Sequence, residues 1–221
     1  MIYPYGTTNC AWDNIIPFAP LWEQYNRIIK NNGAVVLFSA QPFTTKLIQS
    51  NFKDFRYCWY WEKNNKTGAP FAKVQPLRCI EDICVFYKKK PTYNAQGLKK
   101  LEKPIVNTIK KKNGVYREFG GNYSVQQYTN YPHHLLKFKG VTGKERVHAT
   151  QKPVELLEYL IKTYTNENEI VLDNCMGSGS AGVACVNTNR HFIGIEKDKG
   201  YYEIALQRIY TAQSQRGVAA A

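Results

Sequence analysis

The last third of the chain restricts the fold more than any other stretch. Glu169–Asp173 (EIVLD) is a short apolar run that ends on an acid, and Asn174-Cys175-Met176-Gly177-Ser178-Gly179 follows it directly. The residues from about Ala181 to Asn187 read as a helix, and His191–Glu196 (HFIGIE) as a second strand, again ending on an acid. Glycines where a strand gives way to a helix let a ligand approach the backbone, and the helix start supplies N–H groups without an internal partner. Glu196 lies 23 residues beyond Asp173, where a strand-end carboxylate can accept from both hydroxyls of a ribose. A lone G-x-G is usually a structural turn, but the whole series of strand, acid, G-x-G, helix, strand and acid points to a nucleoside cofactor. Only 25 residues follow Glu196, reading as a helix from Gly200 to about Ser214 and a tail. A dinucleotide fold needs more strands there. The other strands must precede this unit, which predicts a permuted Rossmann-like α/β sheet and disfavours NAD.

Earlier stretches supply candidates. Leu21–Lys30 has helical spacing and meets a stop at Asn31-Asn32-Gly33. The run GAVVLFSA from Gly33 has the continuous apolar character of a strand covered on both faces. A helix over Thr44–Asn51, an aromatic run over Phe55–Trp61 and a strand over Asp82–Tyr87 follow, and Pro153 suits the first turn of a helix to about Tyr164. Lys88–Arg146 differs: its periodicity is weak and Gly120-Gly121, Pro132 and Gly143 interrupt it.

That same segment holds the charge. The chain carries a net +13, and between Phe86 and Arg146 there are twelve Lys and two Arg against Glu102, Glu118 and Glu145. A polyanion is the natural partner, because phosphates release condensed counterions to clustered Lys and Arg. Lys88, Lys89 and Lys90, with Lys110, Lys111 and Lys112, are the candidate phosphate contacts. Tyr116, Phe119, Tyr123, Tyr128 and Tyr131 interleave with polar residues and could stack on bases, or simply pack a small subdomain. Other classes are excluded. No run of about eighteen apolar residues could span a membrane. The N-terminus has no signal-peptide pattern. The six cysteines form no C-x-x-C pair, which predicts free thiols in the cytoplasm and no metal site.

At the other end, Tyr3-Pro4-Tyr5 can expose backbone carbonyls and a ring in one turn, able to accept from an exocyclic amino group and to stack on a base. With this piece the chain resembles the DNA amino-methyltransferases that modify adenine N6 or cytosine N4, in their β-class order of motifs and of phage or prophage type. Tyr3–Asp13 (YPYGTTNCAWD) is similar to the start of adenine methylases, and Phe38–Phe43 (FSAQPF) to the segment after their next strand. Val147–Pro153 (VHATQKP) resembles H-x-T-Q-K-P. Asp173–Gly179 resembles D-P-F-x-G-S-G with Asn174 and Cys175 in place of Pro and Phe, and Phe192–Glu196 resembles F-x-G-I-E.

The resemblance implies a Rossmann-like S-adenosylmethionine-dependent methyltransferase fold, circularly permuted. Residues 1–87 would be the catalytic half, 88–146 a target-recognition insertion, 147–215 the cofactor half and 216–221 a tail. Tyr3, Pro4 and Tyr5 would hold a flipped base. Thr150, Gln151, Lys152, Pro153, Asp173, Met176, Gly177, Ser178, Gly179 and Glu196 would line the cofactor, with Glu196 on its ribose and Lys152 with Pro153 at its amino-acid end. The implied activity is methylation of adenine N6 in double-stranded DNA, within a restriction-modification setting and with a homodimer as a possible assembly. The family starts its catalytic motif with Asp, where this sequence has Ile2. That departure, with no strand ahead of it, predicts an N-terminally truncated member with impaired catalysis. Cytosine N4 methylation, an inactive DNA-binding relative and a fragment remain as alternatives.

Overall fold

The computed structural model describes residues 15–108 and 123–219, so Tyr3, Pro4, Tyr5, Lys110, Lys111 and Lys112 lie outside the described residues. Two compact units emerge: one is the chain up to Asn94 together with His134 onward, the other is Ala95–His133.

The larger unit begins with helix α1 (Phe18–Ile28), strand β1 (Val35–Ser39) and helix α2 (Phe43–Ser50), followed by strands β2 (Phe55–Thr67) and β3 (Arg78–Phe86). Strand β6 (Leu135–Lys137) completes a sheet of order β1-β3-β2-β6, with β3 antiparallel to both neighbours and β6 parallel to β2. Successive side chains of a strand point to opposite faces. Leu37, Cys84 and Phe86 therefore pack with Leu21, Trp22 and Tyr25 of α1 and Phe43 and Leu47 of α2. On the opposite face Phe38, Trp59, Trp61, Ile83 and Val85 meet helix α3 (Val154–Tyr164) through Leu156, Leu157, Leu160 and Ile161. Cover on both faces is why the run from Gly33 has no polar alternation. Strand β3 starts at Arg78, well ahead of the apolar run at Asp82, because its polar residues up to Glu81 are held by pairing with β2 rather than by burial.

The α3 C-terminus is closed by side chains from elsewhere. Asn94 Nδ2 donates to the carbonyls of Lys162 and Thr165, each at 3.1 Å, and Arg190 Nη2 donates to Thr165 O at 2.7 Å. These satisfy carbonyls that a helix end leaves open. Beyond it, β7 (Ile170–Asp173), α4 (Ser180–Asn187), β8 (His191–Gly194) and α5 (Lys199–Ala219) follow in order, with β7 and β8 parallel and Asp173 opposite Gly194. This is the strand–helix–strand–helix order expected. Ala181, Ala184 and Cys185 bring α4 into the same core as α3.

In the smaller unit, β4 (Lys99–Thr108) and β5 (Tyr123–Thr129) form an antiparallel ribbon, its register interrupted between Lys100 and Ile105. Asn130, at φ 60°, donates its Nδ2 to Gly97 O at 2.6 Å at the ribbon's base. Among the described residues, no helix is long and apolar enough to cross a membrane.

Candidate cofactor-binding site

At the carboxyl end of β7, Asp173 is buried and its Oδ1 accepts the N–H of Cys175 at 3.1 Å, which starts the turn. Gly177 and Gly179 take φ of +52° and +75°, a left-handed region that costs a residue with a Cβ about 1–2 kcal/mol. Met176 fastens the turn to the neighbouring strand end, its N–H donating to Ile195 O at 3.0 Å. Ser178 is buried, and Arg208 of α5 holds it, donating to its carbonyl, to its Oγ at 3.0 Å and to Ser180 Oγ at 3.2 Å. Tyr25 of α1 donates its hydroxyl to Asn174 Oδ1 at 2.9 Å. The turn is thus tied to β8, α5 and α1.

Glu196 stands just past β8. Its two carboxylate oxygens accept from Gly177 N at 2.8 Å and from Asp198 N at 2.9 Å. Each oxygen keeps a second lone pair for a donor such as a ribose hydroxyl. Asp198 caps α5, accepting the Tyr201 N–H at 2.9 Å.

The third wall comes from the loop before α3. His148 is buried, its ring 4.2 Å from that of Tyr201 between centroids, and its ring atoms lie 3.5 Å from where a Cβ on Gly177 would stand. Nδ1 accepts the Thr150 N–H at 3.2 Å, so the neutral ring carries its proton on Nε2. Burial pushes the His148 pKa down, and Lys152 and Arg146 add to this against the opposing pull of Glu196 and Asp198. Gln151 knits the loop, accepting Val147 N–H at 2.9 Å and donating to Glu145 O at 3.2 Å.

Lys152 ends this loop. It is 3% exposed, and its Nζ lies 2.8 Å from Glu81 Oε2, over the rings of Phe38 and Trp61. Glu81 Oε1 takes Lys63 at 2.8 Å. Burial alone would raise the Glu81 pKa, but the two ammonium groups outweigh it and hold the carboxyl below its usual range. Burial lowers the Lys152 pKa against the pull of Glu81. Pro153, also buried, then opens α3. On the other face of the sheet, at the same carboxyl end of β1, Thr44 Oγ1 gives its single proton to Asp82 at 2.5 Å. It must then accept from Ser39 Oγ, 3.0 Å away, while Cys84 lies 3.3 Å beyond Ser39.

The structure therefore brings Asp173, Met176, Gly177, Ser178, Gly179 and Glu196 together, with Thr150 and Gln151 building the loop that carries His148. The residues fit a nucleoside: a glycine turn roofed by an imidazole, a carboxylate with spare acceptors, and an aromatic side wall from Tyr201. Lys88, Lys89 and Lys90 are exposed in the larger unit. Sequence reasoning did not single out His148, Tyr201, Glu81 or Arg208. Only His148 carried a signal, as the first polar residue of the motif it opens.

The sequence model of the N6/N4-type DNA methylase family matches residues 12–207. The chain belongs to that family. The chain is similar to the type II methyltransferase M.HindIII of Haemophilus influenzae, 27% identical over 213 residues that cover 85% of this chain and 66% of that protein. M.HpaI of Haemophilus parainfluenzae is 28% identical over 216 residues, covering 93% and 63%. The chain spans about two thirds of the length of these relatives, 66% and 63%. The solved M1.HpyAVI–SAM complex superposes with a TM-score of 0.60 at 27% identity, over 88% of this chain and 85% of that one. The cytosine-N4-specific PvuII DNA methyltransferase shares the fold, with a TM-score of 0.64 at 13% identity over 97% and 83%. The architecture is the Rossmann-like methyltransferase fold.

Proposed function

We propose that this methylase chain binds S-adenosylmethionine in the cleft of Gly177, Glu196 and His148 and directs methylation of an exocyclic amino group in double-stranded DNA, adenine N6 rather than cytosine N4. The observation that carries the reading is the closure of one cradle from segments far apart in sequence: Gly177 N–H on Glu196 at 2.8 Å, beneath the His148 ring. Family membership and the solved SAM complex of a relative at 27% identity support the cofactor. The adenine preference rests on the likeness of Tyr3–Asp13 to adenine methylases.

When bound, the cofactor supplies an electrophilic methyl group on a sulfonium. This chain's residues supply position. Glu196 accepts from ribose hydroxyls, the turn at Gly177–Gly179 lets the nucleoside lie against backbone, and His148 with Tyr201 closes one side. Tyr5 stacks on the flipped base, and carbonyls near Tyr3 and Pro4 accept from its amino group, turning the nitrogen lone pair toward the methyl group. The decisive experiment incubates the purified chain with labelled S-adenosylmethionine and unmethylated duplex DNA, then digests the DNA to nucleosides. Label in N6-methyladenine is expected, with a higher rate after Ile2→Asp. Label in N4-methylcytosine would reverse the target assignment. Cofactor binding without transfer, before and after Ile2→Asp, would make the chain a DNA-binding relative.

A further inference from the structure

Strands β2 and β3 carry two cysteines side by side. Cys58 is the register partner of Cys84, and their sulfurs lie 3.6 Å apart. Tyr60 directs its N–H to His134 O, just ahead of β6, at 2.7 Å. Tyr60 and, two residues back, Cys58 therefore turn their backbone groups away from β3. That makes Cys58↔Cys84 a non-hydrogen-bonded pair, the closer of the two kinds at about 4.5 Å between Cα atoms, within the roughly 4.4–6.8 Å that a disulfide bridges. Cys84 is wholly buried, whereas Cys58 is partly exposed.

Asp82 sets the direction of a line of hydrogen bonds behind the sulfurs. Its carboxylate only accepts, so Thr44 gives it a hydroxyl proton at 2.5 Å, Ser39 gives its own to Thr44 at 3.0 Å, and Cys84 must donate to Ser39 at 3.3 Å. Cys58 then donates to Cys84. A thiol with no access to water thus has a route for its proton, through two buried hydroxyls to a partly exposed carboxylate. When each proton moves one place along the line, Cys84 accepts from Cys58 and from Ser39. The Cys58 donor foremost, with Ser39, holds the Cys84 pKa below the ordinary thiol value against burial, and the same bond pushes the Cys58 thiol up.

We propose that Cys58 and Cys84 are a site of reversible oxidation that closes to a cross-strand disulfide on meeting a peroxide, with Ser39, Thr44 and Asp82 carrying off the proton of the buried thiol. The Cys58 sulfur attacks a peroxide oxygen as its proton passes to the Cys84 thiolate. The O–O bond breaks, the departing hydroxide takes a proton from solvent, and Cys58 is left as a sulfenic acid. Cys84 then attacks that sulfur while its proton moves along the line to Asp82, the S–O bond breaks, and a second water leaves. Two thiols lose two electrons and the peroxide is reduced to two waters. A dithiol reductant reverses the change.

The test treats the reduced full chain with hydrogen peroxide, alkylates the remaining thiols and digests with trypsin. Cys58 then lies in the peptide of residues 57–63 and Cys84 in that of residues 79–88, which also holds Cys79. A link between these peptides is expected in the wild type and in Cys79→Ser, where Cys84 is the one thiol of its peptide, and dithiothreitol should abolish it. Thr44→Val is expected to close at about a hundredth of the wild-type rate, and Thr44→Ser, which keeps the hydroxyl, at nearly the full rate. Asp82→Asn repeats the slow closure should Thr44→Val not melt cooperatively. Unlinked peptides with Cys58 as a sulfinic acid or a mixed disulfide would overturn the site, as would two thiols still open to alkylation. Closure as fast in Thr44→Val and Asp82→Asn as in the wild type would overturn the proton route.

Discussion

The sheet β1-β3-β2-β6 and the β7–α4–β8 segment are built on opposite rules. The first is filled with bulk: Phe38, Phe86, Trp59 and Trp61 are all almost wholly buried. The second is emptied of it. α4 presents Ser180, Ala181, Gly182, Ala184 and Cys185 to its surroundings, and a Cβ on Gly179 would sit 2.8 Å from the Ala205 side chain and 2.9 Å from its Cα. In the sheet, side chains make the fold and the backbone follows. Around the turn, side chains are small so that the backbone can come close to its neighbouring helices. The Glu81–Lys152 pair joins the two, running from β3 to the loop that carries His148.

Breaking that join should have the largest effect. Glu81→Gln leaves the Lys152 ammonium buried without its carboxylate, a loss of about 3–5 kcal/mol and a fall in melting temperature of roughly 10 °C or more. Adding Lys152→Met should restore most of it, since a buried pair replaced by apolar groups is often neutral. A double variant as unstable as the single one would show that the pair does more than neutralise charge. Phe86→Ala tests the filled half. Its ring lies 4.9 Å from Trp22 and 5.6 Å from Phe55 between centroids, so about 3–5 kcal/mol should be lost by thermal melting.

The emptied half should fail in the reverse direction, by addition. Gly179→Ala adds one methyl at φ +75° against a backbone atom that cannot step aside. Strain of about 1–2 kcal/mol and overpacking of about 1–3 kcal/mol together predict a loss of about 2–5 kcal/mol, with weaker cofactor binding by calorimetry. A neutral Gly179→Ala would mean that the contrast between the halves is wrong. Smaller still is Tyr25→Phe, which removes one hydroxyl from Asn174 at the seam between α1 and the turn and should cost about 1 kcal/mol.

The same contrast explains what could be read from the sequence. The turn was legible residue by residue, since positive φ demands glycine at 177 and 179, and the acid at 196 ends the next strand where its carboxylate holds the turn. The filled half was legible as pattern only: GAVVLFSA marks a covered strand but not its antiparallel partner. Glu81 was opaque, because it sits in a polar stretch that pairs with β2 and its partners are far away in sequence, at Lys63 and Lys152. Lys152 was legible as part of a motif, yet its ammonium turned out to serve the join, which spacing cannot show. The ribbon of Lys99–Thr108 and Tyr123–Thr129 escaped altogether, since its mostly exposed side chains impose no buried alternation.

The smallest expected effect concerns His148, whose ring roofs the turn. Its pKa falls on folding, first through burial. The native state then binds this proton more weakly than the unfolded chain does, so the stability that His148 contributes is complete above about pH 6.5 and declines as the pH drops below that value. The Nδ1 acceptor for the Thr150 N–H survives protonation poorly, because both ring nitrogens of the cation are donors. His148→Gln keeps an acceptor for Thr150 and removes the titration. The melting temperature of the wild type should therefore fall relative to His148→Gln between pH 7.5 and 5.5. Parallel pH profiles would show that the imidazole roof is held by the packing of Tyr201 alone and that its neutral state matters little to the cradle beneath it.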